Sequence, residues 1–183
     1  MFVSLLELER EPLDFDLTVQ SGAIDYGSGI RQLGGMAVDG RAELIEEHRG
    51  PRQVIQDIRL RADFNGKFEV SCARCLEPVE HAIEDHVDLI YRPLGADAGT
   101  PDHAISTSDT EIGYYQGSGL ALEDVLREQV LLSLPARTLC RQDCKGLCPG
   151  CGRNLNAEAC ICEGVPVDPR WSSLSDFRGR MKT

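Results

Sequence analysis

The chain has 183 residues, of which 42% are hydrophobic and only 5% aromatic, and it carries a formal net charge of −11. That suits one domain of ordinary size, or a domain with a small appendage, whose core is filled mostly by aliphatic side chains. The longest apolar runs, such as Val130-Leu131-Leu132, are too short to cross a bilayer, and no basic segment precedes an apolar one at the N-terminus. A soluble, cytoplasmic protein with no membrane partner is expected.

The first 35 residues mix apolar pairs such as Leu5-Leu6 with Gly27, Gly29, Gly34 and Gly35, and read as partly irregular. From about Arg52 the pattern turns β-like. Ile58, Leu60, Ala62 and Phe64 alternate with Arg59, Arg61 and Asp63. Asn65-Gly66 follows, a strong hairpin signal because both residue types tolerate positive φ. Phe68, Val70 and Cys72 then alternate with Glu69 and Ser71, and the length of the loop leaves the register of Phe64 against Phe68 open. Val79, Ile83, Val87, Leu89 and Tyr91 predict a third strand, running on from a turn at Cys72–Cys75.

Residues 93–110, rich in Pro, Gly, Ser, Thr and Asp, predict an exposed loop. Leu120 to Leu132 predicts an amphipathic helix, with Leu122, Val125, Leu126 and Val130 on one face and Pro135 limiting its length. A cysteine-rich stretch follows, and then a tail with one or two helical turns expected around Trp171–Phe177. The expected architecture is α+β: an antiparallel β-rich body with one amphipathic helix over residues 1–135, and a C-terminal zinc knuckle with a basic tail over residues 136–183.

Eight cysteines suit either four disulfides or metal ligands, and six of them crowd between Cys140 and Cys162. Disulfide frameworks belong to exported proteins, and thiols this close are more easily gathered around a metal than bridged in pairs. The core is Cys148-Pro149-Gly150-Cys151-Gly152. Two residues between cysteines let the backbone curl so that both sulfurs reach one tetrahedral ion, and glycine relieves the crowding. Cys160 and Cys162 can complete the set. Four thiolates, Cys148, Cys151, Cys160 and Cys162, leave no open coordination position, which makes the site structural rather than catalytic. Cys144 can replace Cys160 in that partition, and iron–sulfur ligation is the chemical alternative to zinc.

Cys72-Ala73-Arg74-Cys75 is a second knuckle. Thioredoxin-like chemistry needs such a motif to open a helix in a βαβ unit, and that context is absent. Two half-buried thiols in a hairpin would account for the pair without a metal. Setting aside the first quartet leaves Cys72, Cys75, Cys140 and Cys144, one more set of four, so a second zinc can staple the hairpin to the C-terminal segment. His48, His81, His86 and His103 are scattered, and the sequence holds no GxSxG, no phosphate-binding glycine loop and no HExxH. No catalytic residues and no small-molecule substrate are predicted.

The charge is unevenly spread. Residues 1–135 carry 11 Lys+Arg against 25 Asp+Glu, a net of −14, and residues 136–183 carry 8 against 5, a net of +3. The acidic body repels nucleic-acid phosphates, so any RNA contact is expected through Arg170, Arg178, Arg180 and Lys182. A four-thiolate zinc site is itself formally negative and weakens that attraction, and the acidity of the body also serves solubility alone.

Several motifs in order resemble the YceD-type family of large ribosomal RNA subunit accumulation proteins. They are Ser71 to Glu77 around the first knuckle, Asp143 to Gly152, Asn154-Leu155-Asn156, Cys160-Ile161-Cys162 and Asp168-Pro169-Arg170, preceded by Glu128-Gln129 and Leu134-Pro135. The resemblance covers about residues 50–175. It implies a cytoplasmic, non-enzymatic role in ribosome biogenesis, supporting accumulation or processing of 23S rRNA, with ribosomal RNA or ribosome-assembly proteins as partners. Some members of that family lack much of the C-terminal cluster, which implies that the Cys72–Cys75 knuckle lies nearer the shared function. The competing expectation is a zinc-stabilised protein-interaction or regulatory module without an RNA role.

Overall fold

The structure, a computed structural model, describes residues 1–48, 54–96, 112–162 and 170. In chain order the elements are β1 (Phe2–Ser4), α1 (Leu5–Leu8), β2 (Leu13–Val19), β3 (Ile30–His48), β4 (Val54–Ser71), β5 (Pro78–Pro93), β6 (Ile112–Tyr115), β7 (Gly119–Ala121) and α2 (Leu122–Ser133). Five strands form one sheet in the order β2-β3-β4-β5-β6, and β1 and β7 pair separately. Neighbours run antiparallel except β5 and β6, which are parallel, so the sheet is mixed at one edge rather than wholly antiparallel.

The centre of the sheet overturns the expected hairpin. β4 runs unbroken through Asn65-Gly66, with Asn65 paired to Ala37 on one side and to Glu84 on the other. The period-two pattern explains this, because Ile58, Leu60, Ala62, Phe64 and Phe68 share one face and all are buried. A turn at Asn65-Gly66 would abandon the pairing of both halves with β3 and β5. Gly66 serves close packing instead. A Cβ there would lie 3.2 Å from Met36 Cβ and 3.3 Å from Phe68 Cε2, so those two side chains close over a position that only glycine leaves open.

The first 48 residues are more regular than expected. β3 spans 19 residues, and its glycine pair lies within the strand. Leu33 pairs with Lys67 and Ala37 with Asn65, so β3 carries two extra residues there, and Gly34 takes a φ of 79° at that bulge. The third expected strand is β5, which begins directly after the Cys72–Cys75 turn. The expected helix is α2, which starts two residues later than expected because Gly119–Ala121 pair with β1, and ends one residue later. Of the expected loop at 93–110, residues 97–110 lie outside the described residues, as does the tail around Trp171–Phe177.

One face of the sheet carries the core. Leu122, Val125, Leu126 and Val130 of α2 close over it, with Val3, Leu8, Ile24, Tyr26 and Leu120 filling the margins. Fully burying a side chain such as Phe64 or Leu60 contributes about 2 kcal/mol. The opposite face is charged. Arg59 meets Asp88 at 2.6 Å, Arg61 meets Glu43 at 2.8 Å, Arg41 meets Asp14 at 2.9 Å and Arg31 meets Glu69 at 2.9 Å. Each of these arginines is already matched by a carboxylate on a neighbouring strand, so the face offers no unpaired basic row to a polyanion. No helix is long and apolar enough to cross a membrane, among the described residues.

Candidate metal centres

The turn between β4 and β5 is a knuckle. Cys72 N–H donates to Glu77 O at 2.8 Å and Leu76 N–H donates to Cys72 O at 3.0 Å, which curls the chain so that Cys72 and Cys75 face the same way. The second knuckle repeats the geometry, with Gly152 N–H donating to Cys148 O at 2.8 Å. The residue after the second cysteine is left-handed in both, at φ 74° for Gly152 and φ 63° for Leu76. Glycine adopts this conformation freely, whereas a leucine holds it at a cost of about 1 kcal/mol.

The C-terminal segment docks on the tip of the β4–β5 hairpin. Ala73 N–H donates to Thr138 O at 2.8 Å, Leu147 N–H donates to Arg74 O at 3.0 Å and Arg74 Nη1 donates to Cys144 O at 2.7 Å. Cys72, Cys75 and Cys144 form a small buried cluster with Val79, Leu139 and Leu147 against them, separate from the main core. Two sulfurs of this quartet come from the body and two from beyond residue 135, so the boundary expected at 135/136 passes through a single ligand set.

Two groups of four sulfurs result: Cys72, Cys75, Cys140 and Cys144, and Cys148, Cys151, Cys160 and Cys162. Within each, all sulfurs lie within 4.8 Å of one another. Cys72 and Cys144 are 3.8 Å apart, Cys75 and Cys140 are 3.5 Å, Cys148 and Cys160 are 3.3 Å and Cys151 and Cys160 are 3.5 Å. A zinc ion with four sulfurs at about 2.3 Å requires S···S edges of about 3.8 Å, whereas a disulfide requires about 2.05 Å. Each quartet can therefore hold a metal ion. The partition leaves Cys144 in the first set and Cys160 in the second.

Electrostatics point the same way. Burial alone would raise the Cys72 thiol, but N–H groups of Arg74, Cys140 and Cys75 outweigh it and bring the pKa down to about 6. Backbone N–H of Cys151, the Cys160 thiol and backbone N–H of Gly150 bring Cys148 to about 6. Burial and then the neighbouring thiols push Cys140 up to about 12, and the Cys160 and Cys151 thiols push Cys162 up to about 12. Four sulfurs this close cannot all ionise beside one another, and a bound dication removes that conflict.

The two sites differ in exposure. Cys72, Cys75 and Cys144 are buried, with Cys140 exposed, whereas in the second site only Cys148 is buried. Asn156 joins the two regions: its Oδ1 accepts from Lys145 N–H at 2.8 Å and from Arg141 Nη2 at 2.8 Å, and its Nδ2 donates to Cys144 Sγ at 3.2 Å. Composition and spacing do not single out Asn156 or Arg74 as supports of the metal site. The only sequence signal was their position inside the Asn154-Leu155-Asn156 and Cys72–Cys75 motifs. His81 Nε2 meets Thr138 Oγ1 at 3.2 Å and His86 Nδ1 meets Asp63 Oδ1 at 2.8 Å, so neither enters a sulfur quartet. Arg170 is exposed, while Arg178, Arg180 and Lys182 lie outside the described residues.

The model of the family described as large ribosomal RNA subunit accumulation protein YceD matches residues 60–178. That span takes in most of β4, the hairpin tip and both quartets. Uncharacterized proteins of Mycobacterium tuberculosis (strain ATCC 25618 / H37Rv) and Mycobacterium bovis are each 34% identical over 110 residues, covering 59% of this chain and 49% of theirs. An uncharacterized protein of Mycobacterium leprae is 29% identical over 127 residues, covering 68% of this chain and 54% of its own length. The chain thus spans about half the length of these relatives. No solved structure matches.

Proposed function

The chain belongs to the YceD family of large ribosomal RNA subunit accumulation proteins, and on that footing we propose that it is a non-enzymatic, zinc-holding factor of ribosome biogenesis. In this reading it supports accumulation or processing of 23S rRNA in the cytoplasm. The observation that carries the proposal is the family match, which covers the hairpin knuckle and the segment docked on it. Zinc is the metal of choice, because a closed set of four thiolates in CxxC and CxC spacing suits a redox-inert tetrahedral ion. Cys72, Cys75, Cys140 and Cys144 would hold one ion and Cys148, Cys151, Cys160 and Cys162 the other. The metal would supply folding energy and fix the hairpin tip, with no open position for substrate.

The test is a deletion strain. Its ratio of 23S to 16S rRNA should fall, and the full chain should restore it; an unchanged ratio would remove the ribosomal reading and leave the metal sites standing. A second reading, a protein-interaction module without an RNA role, draws support from the outer sheet face, whose arginines are matched by carboxylates. Crosslinking in growing cells separates the two. RNA recovered through Arg170, Arg178, Arg180 and Lys182 would favour direct contact, and protein-only crosslinks would favour the second reading.

A further inference from the structure

Aromatic side chains are scarce in this chain, ten in all. Four of them line a single cavity of about 330 Å³ between the start of α2 and the β5–β6 edge: Phe2, Tyr91, Tyr114 and Tyr115. The same cavity takes in Asp124 and Glu128. These two lie four residues apart on α2 and so share one face of the helix, where like charges repel.

Neither carboxylate has an ion pair or hydrogen bond among the described residues, although cations lie close by in sequence. The N-terminal ammonium pairs with Glu123 instead, and Arg127 Nε donates to Asp25 O at 2.6 Å. Tyr91 is only 8% exposed and lines the cavity, and its hydroxyl has no hydrogen-bond partner among the described residues. No buried side-chain oxygen or nitrogen among those residues is left unpaired, so the hydroxyl is the accessible end of the residue and opens on the cavity. Burial, and then the charge of Glu128, push its pKa up to about 12, which places that carboxylate beside it. Its ring is fixed from behind by Gly113, where a Cβ would lie 2.6 Å from Tyr91 Cε1. Phe2 and Tyr114, each 50% exposed, form the rim.

We infer that this cavity is a binding site for a cationic side chain, an arginine guanidinium or lysine ammonium, presented by a basic segment of a partner protein. Aromatic faces attract a cation through their quadrupole, the paired carboxylates supply the counter-charge, and the Tyr91 hydroxyl can accept a hydrogen bond from it. The partner is fixed by charge. The chain is at −11 and its body at −14, which steers a basic polypeptide inward and repels both a second copy and an RNA phosphate. The site lies apart from the sulfur quartets, and the inference does not depend on the ribosomal reading.

The probe is a fluorescently labelled hexa-arginine peptide, capped at both ends, titrated against the full zinc-loaded chain at physiological salt. Asp124→Asn with Glu128→Gln, isosteric changes on an exposed helix face, should weaken binding about tenfold, the equivalent of 1.4 kcal/mol. Asp16→Asn with Asp39→Asn removes the same charge from the outer sheet face and should change affinity by less than about twofold. In wild-type protein the peptide should shift the aromatic NMR signals of Tyr91 and Tyr114. Equal losses in the two double variants would mean diffuse attraction to an acidic protein and would overturn the site. So would an RNA hexamer that shifts the same tyrosine signals. A tenfold gain in affinity on Arg178→Gln, Arg180→Gln and Lys182→Gln together would assign the cavity to the chain's own tail and overturn the separate partner.

Discussion

Cys72 and Cys144 lie 72 residues apart in sequence and bring their sulfurs to 3.8 Å, the edge length of a tetrahedral zinc–thiolate site. The metal at this position would join the central hairpin of the sheet to a segment with little core of its own.

Two ions per chain are expected from elemental analysis of purified protein. Cys148→Ser should remove one ion and expose residues 148–162 to protease, while Cys140 and Cys144 stay held in the first quartet and the main thermal transition stays nearly in place. Cys72→Ser should remove the other ion and lower the main transition as well, because its sulfur is fully buried at the end of β4. Zinc contributes on the order of 10 kcal/mol to folding in small isolated modules, so even partial coupling to the sheet is measurable. Iron in place of zinc, or equal protease sensitivity in both variants, would contradict this.

Leu76→Gly should stabilise the protein. Leu76 sits at φ 63° where the second knuckle has Gly152, and its side chain is 64% exposed, so little packing offsets the strain. Relief of about 1 kcal/mol, reduced by the extra freedom of glycine in the unfolded chain, should raise Tm by roughly 1–3 °C with metal content unchanged. A fall in Tm would show that the side chain makes a contact worth more than the strain.

Gly40→Ala should be among the most damaging single-methyl additions. A Cβ there would lie 2.4 Å from Arg61 O and 2.8 Å from both Ala62 Cβ and Phe15 Cζ, and backbone cannot give way as a flexible side chain can. A loss of about 3 kcal/mol in urea unfolding is expected, against about 1 kcal/mol for Gly66→Ala, whose neighbours are the side chains of Met36 and Phe68. The reverse order would mean that the sheet pairs differently.

Ser133→Ala should alter the pH dependence of stability. Ser133 Oγ donates to Asp85 Oδ2 at 2.6 Å, tying the end of α2 to β5. That hydroxyl, then the backbone N–H of His86, holds the Asp85 carboxyl below its usual range. A lowered folded-state pKa gives stability that is fully present above about pH 4, the unfolded value, and is lost as pH falls through the folded value. Because Asp85 is exposed, the wild-type advantage at pH 7 should stay below about 1 kcal/mol and shrink by pH 3. An equal advantage at both pH values would rule out the charged hydrogen bond.

Both knuckles, the amphipathic face of α2 and the apolar alternation of β4 and β5 could be read from residue spacing, because each is a local requirement. A CxxC turn, a helix stripe and a strand face are set by neighbours a few residues away. Asn65-Gly66 misled for the same reason. As a dipeptide it favours a turn, but long pairings on both sides of β4 outweigh that preference. The glycines of β3 hid a 19-residue strand because their role is a bulge and close packing against other strands.

The sequence by itself determined that eight thiols lie in knuckle spacings suited to metal ligation, six of them between Cys140 and Cys162, and that the body is acidic and β-patterned. Counting and spacing are enough for that. Only the tertiary structure decided which sulfurs share a site, and it gathered Phe2, Tyr91, Tyr114, Asp124 and Glu128 around one cavity. Those residues come from separate strands and a helix, and their meeting follows from strand order and helix docking, which depend on packing between distant segments and leave no periodic mark along the chain.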